Sequence, residues 1–248
     1  MRIAIISDIH GNPIALDAVL EHINGAVDQY LFLGDYAAIG FDPAGVLERI
    51  TALPDAIFIR GNTDRYIVTG ERPSPQPKAV FENPELLPVV MGIDAEFVWA
   101  KGYLAATGWL DWLADLPLDH RLTLPNGARL LAVHTAPGRD EGDGFHIDMS
   151  DEELATMVKD SRADIVTVGH YHRPLERMVD GIHCINAASV SNPQPGDRRA
   201  SYVTIDANAD SYAVNFHRVD YDYQAVIDSL YRVRHPVADY IAAFWNNP

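Results

Sequence analysis

Five short groups of residues carry the oxygen and nitrogen donors from which a metal site can be built. They are Asp8-Ile9-His10, Gly34-Asp35, Gly61-Asn62-Thr63-Asp64, Val133-His134 and Gly169-His170-Tyr171-His172. Each group follows a short apolar run. Asp8 and His10 project from one extended turn, where a carboxylate oxygen and an imidazole nitrogen can share a cation. Gly34 permits close backbone approach, and Asp35 has two oxygens that can serve two cations. Asn62 adds an amide oxygen, and His134 ends Leu130-Leu131-Ala132-Val133. His170 and His172, at alternate positions of an extended segment, face one way and can serve adjacent ions. Taken singly, each group is also an ordinary capped turn, a left-handed turn or a buried histidine. Five such groups at five strand ends together point to a two-metal site.

The elements that position these donors follow from apolar periodicity. Residues 2–7, 30–33 and 56–59 read as buried strands, with helices after Asn12-Pro13 and over residues 43–50, the pattern of parallel strands joined by crossovers. Asn12 caps the first helix and Pro13 takes its first position. The second half reads as hairpins at 121–133, 175–186 and 202–216, with a buried strand at 165–168 and a capping box, Ser150 and Glu153, opening a helix. Parallel strands in one half and hairpins in the other suggest two packed sheets. Between about Thr69 and Ala100, Pro73, Pro75, Pro77, Pro84 and Pro88 argue against a long helix or a central strand. An excursion over the active face is expected there, either a cap that shapes the substrate site or a surface loop. Trp109, Leu110, Trp112, Leu113 and Leu116 form an apolar helical stripe suited to a core or interface. Residues 221–248 read as a helical tail, packed on the chain itself or pairing two protomers in a homodimer.

The chain has 248 residues, with 19 Lys and Arg against 35 Asp and Glu, a net charge of −16. Length favours one domain spanning residues 1–248. A surface this acidic repels phosphate backbones, so no polymeric nucleic acid is expected as a partner. The single cysteine, Cys184, sits in an apolar strand and reads as a buried residue rather than a reactive thiol. No run approaches the roughly 20 apolar residues of a membrane span, and the N-terminus lacks a signal-peptide pattern, so a cytoplasmic protein without a membrane partner is expected.

In this order, the motifs resemble those of the calcineurin-like metallophosphoesterases, specifically the small bacterial branch near symmetrical dinucleoside tetraphosphatases and related phosphodiesterases. Residues 34–43, Asn186-Ala187-Ala188-Ser189-Val190 and Arg199-Ala200-Ser201-Tyr202 share the likeness. The resemblance implies an α/β fold, a four-layer α-β-β-α sandwich of two mixed sheets with metals between the strand ends. It implies that Asp8, His10 and His172 hold one ion, that Asn62, His134 and His170 hold the other, and that Asp35 bridges. Mn²⁺, Fe or Zn²⁺ suits these donors. The implied reaction is hydrolysis of a small phosphoester or nucleotide by metal-bound hydroxide.

The chain departs from the family at Thr63, where most members carry a histidine that protonates the leaving oxygen. A hydroxyl is too weak an acid for that role, which favours substrates with good leaving groups. His146 is either a substitute acid or an exposed loop histidine. Arg65 and Arg139 either clamp a phosphate or pair with surface acids. Tyr36 is either a support for the site or a packed aromatic. Two further readings stand beside the phosphodiesterase one: a phosphomonoesterase or protein phosphatase, and a catalytically weak binding scaffold such as the retromer subunit of this fold.

Overall fold

The computed structural model describes residues 1–192 and 196–246. The strands are β1 (Arg2–Ile6), β2 (Gln29–Phe32), β3 (Ala56–Phe58), β4 (Asp119–Thr123), β5 (Arg129–Val133), β6 (Ile165–Val168), β7 (Pro174–Val179), β8 (Ile182–Ala187), β9 (Ala200–Ala207) and β10 (Tyr212–Val219). The helices are α1 (Pro13–Ile23), α2 (Pro43–Thr51), α3 (Asn62–Thr69), α4 (Ala79–Glu82), α5 (Leu87–Thr107), α6 (Leu110–Ala114), α7 (Asp151–Val158), α8 (Tyr223–Arg232) and α9 (Ala238–Asn246).

Two five-stranded mixed sheets result, ordered β10-β9-β1-β2-β3 and β4-β5-β6-β8-β7. Within them β1, β2 and β3 are parallel, as are β5, β6 and β8, while the three hairpins and the long-range pair of β1 with β9 are antiparallel. Because successive strand residues point to opposite faces, the continuous apolar runs must be covered on both sides. Ile3 and Ile5 of β1 join Leu31, Leu130, Ile165, Ile185 and Val203 between the sheets. Ala4 and Ile6 face the other way, into a core with Leu16, Val19 and Leu47 of α1 and α2. On the far side of the second sheet, Leu131 and Val166 pack against Leu154 and Val158 of α7. The expected four layers are therefore present.

Local signals hold where they were strongest. The Asn12 side chain accepts from Ala15 N–H ahead of Pro13, and the Ser150 capping box opens α7. The stripe around α6 is core: Leu113 is fully buried and the Trp112 ring packs on Tyr36 and Phe58. Cys184 is buried in β8, and burial pushes its thiol up to about 12.

The proline-rich segment differs from expectation. It contains the longest helix, α5, of 21 residues. Four of the prolines precede it, and Pro88 occupies its first turn, where the missing N–H costs no helical bond. This helix is held on α2 and α3, with Phe97, Ala100 and Leu104 in the first core, and meets the loop beside the strand ends at Ile39. The excursion is thus largely helical and packed on α2 and α3. The tail packs within the chain: Val226, Leu230, Ile241 and Trp245 bury against Phe41 and Ile14. Its last two residues lie outside the described ones.

Candidate metal centre

All seven predicted donors converge between the carboxyl ends of the two sheets. His172 Nε2 lies 3.0 Å from Asp8 Oδ1 and 3.2 Å from His10 Nε2. Asn62 Oδ1 lies 3.0 Å from both His134 Nε2 and His170 Nδ1. Asp35 Oδ2 stands between these sets, 3.9 Å from His10 Nε2 and 3.4 Å from His134 Nε2. Two overlapping groups, Asp8 with His10 and His172, and Asp8 with Asp35 and His134, place their donor atoms close enough together to hold an ion.

The imidazoles are aimed by their outer nitrogens. His10 Nδ1–H donates to Ala38 O at 3.1 Å, and His134 Nδ1–H to Leu33 O at 2.6 Å. A carbonyl only accepts, so a proton sits on Nδ1, and in the neutral ring Nε2 turns a lone pair inward. That is the tautomer a cation requires.

The backbone that delivers these side chains is unusual. Asp8, His10, Asp35, His170 and His172 all have φ between 49° and 67°, a region non-glycine residues seldom occupy. The extended segments expected at Asp8–His10 and His170–His172 are therefore sharp left-handed turns. The chain must reverse at once on leaving each strand, which an extended backbone cannot do. Asn62 is the converse case, opening α3 as a regular helical residue behind an extended Gly61.

Interlocking bonds hold the turns. Asp8 N–H donates to Gly34 O, His10 N–H to Asp35 O and Gly11 N–H to Tyr36 O. Asp64 accepts from the N–H groups of Asp35, Tyr36 and Gly61, at 2.8, 3.0 and 2.9 Å. Thr63 N–H donates to Asp35 Oδ1, and His170 N–H to Asp8 Oδ2. A Cβ on Gly34 would stand 2.3 Å from Gly61 N, so glycine alone allows these strands' ends to meet.

Charge is concentrated here. Burial opposes ionisation of Asp35, but His134, His10 and His170 outweigh it and hold the carboxyl well below its usual range. Burial likewise opposes charge on His134, yet Asp35 lifts it to about 10. Burial and the neighbouring His134 push His170 down to about 4. Burial and the Asp35 charge raise Asp64 to about 7 against its three backbone bonds.

The remaining predicted residues separate. Thr63 is beside the donors with its hydroxyl buried and unbonded. His146 is outside the donor set and stacks on Tyr171, 4.8 Å between centroids. With Arg139, Asp143 and Met149 it lines a cleft of about 510 Å³ that none of the seven donors lines. Arg65 pairs with Asp140, Glu141 and Glu71, and Arg139 donates to Asp143 O. Tyr36 is a packed aromatic whose hydroxyl donates to backbone carbonyls. Sequence reasoning gave no role to Asp64 or to Asn192, whose amide lies 3.3 Å from His172 Nδ1. Asp64 stood inside the Gly61–Asp64 motif, whereas Asn192 follows the Asn186–Val190 motif and carried no signal of its own. The Asn186–Val190 segment braces the donor turns from behind. Asn186 Nδ2 donates to Phe145 O and Gly169 O, and Ser189 Oγ donates to Asp8 O.

The profile of the calcineurin-like phosphoesterase superfamily domain matches residues 1–210. The chain belongs to that superfamily. A crystal structure of hypothetical protein PH1004 from Pyrococcus horikoshii OT3 superposes with a TM-score of 0.82 at 21% identity, covering 98% of this chain and 97% of that one. A metallophosphoesterase from Sphaerobacter thermophilus gives 0.78 at 26% identity, covering 100% and 99%. In sequence, the chain is 27% identical to a Methanocaldococcus jannaschii protein named Uncharacterized protein MJ0912, over 94% of this chain and 93% of the relative. The superfamily fold and the donor clusters agree: this is an α/β sandwich of phosphoesterase type with side chains grouped to bind metal. Among the described residues, no helix is long and apolar enough to cross a membrane.

Proposed function

We propose that the protein is a phosphoesterase that uses two divalent cations to hydrolyse small phosphoesters with good leaving groups, phosphodiesters or nucleotide anhydrides. The observation that carries this reading is Asp35, buried between two donor sets in which carbonyls at the outer nitrogens of His10 and His134 aim each Nε2 inward. Asp8, His10 and His172 would hold one ion, Asn62, His134 and His170 the other, and Asp35 both. Mixed nitrogen and oxygen donors fit Mn²⁺, Fe or Zn²⁺. Such ions, when bound, supply an acidified water and positive charge for the phosphoryl oxygens.

The chain's own residues do the rest. Ala38 and Leu33 carbonyls orient His10 and His134, while Asp64 and Thr63 N–H fix the Asp35 turn. Thr63 offers a hydrogen bond but no proton near neutral pH, so no acid at this position assists the leaving group. General-acid help is worth roughly 10²- to 10⁴-fold, and its absence is borne best by leaving groups that depart unprotonated. The −16 net charge favours small substrates that reach the donor cluster over long polyanions.

The test is a panel run with metal-reconstituted protein: diadenosine tetraphosphate, a bis-aryl phosphate, aryl and alkyl monophosphates, cyclic nucleotides and a phosphopeptide. Metal-dependent turnover is expected, fastest on the diester or dinucleotide. The Asp35→Ala variant should lose turnover and metal loading together. Full activity in that variant, or alkyl monophosphates cleaved as fast as aryl diesters, overturns the proposal. A complete lack of metal-dependent turnover would instead indicate a binding scaffold.

A further inference from the structure

The loop that carries Asp35 and receives His10 is braced from outside by α5. Ile39 is a β-branched residue at φ 65°, a conformation that such side chains strongly disfavour. Its N–H donates to Glu96 Oε1 at 2.6 Å, a long-range bond from the middle of α5. Glu96 is 5% exposed although it is an acid on a helix whose other inward residues are apolar. Farther along the same helix, Tyr103 O–H donates to Asp42 Oδ1, at the loop's other end. His235, from the segment between α8 and α9, closes the arrangement. Its ring packs edge-on against Trp99 at 4.4 Å, and its Nε2 meets Glu96 Oε2 at 3.0 Å without hydrogen-bond alignment.

This bracing has a short route to the donor cluster. Ala38, the residue before Ile39, supplies the carbonyl that fixes the His10 tautomer and ring angle. Gly40, the residue after, lies so close to the His10 turn that a Cβ there would stand 1.9 Å from His10 O. The direction of the Ala38 carbonyl therefore depends on Ile39 staying left-handed. The Glu96 bond is the contact from outside the loop that holds the Ile39 N–H.

We propose that Glu96 is a positioning residue for the metal centre, which fixes the Ala38–Gly40 backbone and through it the His10 imidazole, with His235 placing the carboxylate. The inference rests on the reading of His10 as a metal ligand. Outer groups that orient a ligating histidine change metal affinity by about 10- to 100-fold when removed. The essential property of Glu96 is an acceptor oxygen at Ile39 N–H, so a neutral amide of the same shape should serve.

The test titrates Mn²⁺ by calorimetry into the full, metal-stripped chain at a temperature where every variant is folded by circular dichroism. Glu96→Ala should weaken Mn²⁺ binding about 10- to 100-fold, and Glu96→Gln should restore it to within about threefold of the parent. Leu104→Ala, buried on the same helix, is the control for simple loss of stability and should bind as the parent does. With an aryl phosphodiester, Glu96→Ala should lower kcat at saturating metal with KM nearly unchanged. Parent-like Mn²⁺ affinity in Glu96→Ala, equal losses in Glu96→Gln, or an equal loss in Leu104→Ala overturns the inference while leaving the proposed function intact. Failure of the parent chain itself to bind Mn²⁺, Fe²⁺ and Zn²⁺ alike overturns both.

Discussion

The strands of this protein are left at both ends through left-handed turns, yet the two ends share little else. At the amino ends the left-handed residues include Asn24, Gly25, Asp55, Gly127, Arg162, Asp180 and Gly181, all exposed and mostly of types that tolerate this backbone. At the carboxyl ends they include Asp8, His10, Gly11, Gly34, Asp35, His170, His172 and Ala188, of which Asp8, His10, Asp35 and Ala188 are almost wholly buried. Amino-end turns are local, set by the turn residue and water. Carboxyl-end turns are held by remote neighbours, since Asp8, His10 and Asp35 keep this backbone away from water through bonds to one another's loops and to Asp64. The difference teaches where stability is committed to function: strain and buried charge gather where the donors must converge, and the opposite ends carry the plain hairpins.

The sharpest way to break this contrast is to make one substitution at each end. Gly34 and Gly181 both have positive φ, but a Cβ on Gly34 meets the Gly61 backbone within 2.3 Å while one on Gly181 meets nothing within 4 Å. Gly181→Ala should cost only the left-handed strain, roughly 1 kcal/mol, and leave metal binding unchanged. Gly34→Ala must also push the ends of β2 and β3 apart, and should cost roughly 3–5 kcal/mol and remove metal binding. Urea unfolding with parallel Mn²⁺ titration reads both. Equal costs would mean that the carboxyl-end turns are as local as the others.

A smaller effect separates two asparagines. Asn126 accepts from Ala128 N–H in the β4–β5 turn, a partly exposed bond. Asn186 is fully buried, and its side chain joins Phe145 O, Gly169 O and Ala188 N–H directly behind His170. Asn186→Ala strands buried polar groups and should cost roughly 2–4 kcal/mol, against under about 1 kcal/mol for Asn126→Ala. Only the former should slow turnover. If both variants turn over substrate alike, the Asn186 bonds serve stability alone.

The same contrast accounts for what the sequence disclosed. Asn12-Pro13 and the Ser150 box act on their own neighbours, so their types foretold their structure. The seven donors were legible because each follows an apolar run, and strand ends are where open sheets bind ligands. Their backbone was not legible, because the partners that impose it are remote: Asp64 for Asp35, and Glu96 for Ile39. Helix α5 was hidden for another reason. The number of prolines argues against a helix there, but position decides, and Pro88 in a first turn is no obstacle.

The least effect belongs to the amino end of the second sheet, where Asp164 receives Arg129. Hydrogen bonds from the Arg129 side chain and backbone hold the Asp164 carboxyl at about 2, below its ordinary 3.8. A carboxyl lowered on folding stabilises above its unfolded value and loses that contribution as pH falls through the folded one. The Asp164→Asn variant should therefore melt slightly below the parent at pH 6, by about 2 °C for so exposed a pair. By pH 3 the unfolded chain has largely taken its proton while the folded one has not, and the difference should shrink by about half. Throughout, turnover and Mn²⁺ affinity should match the parent, because Asp164 lies at the start of β6 and the donors at its end. A change in either would mean that the two ends of the sheet are coupled, and the division between them would fall.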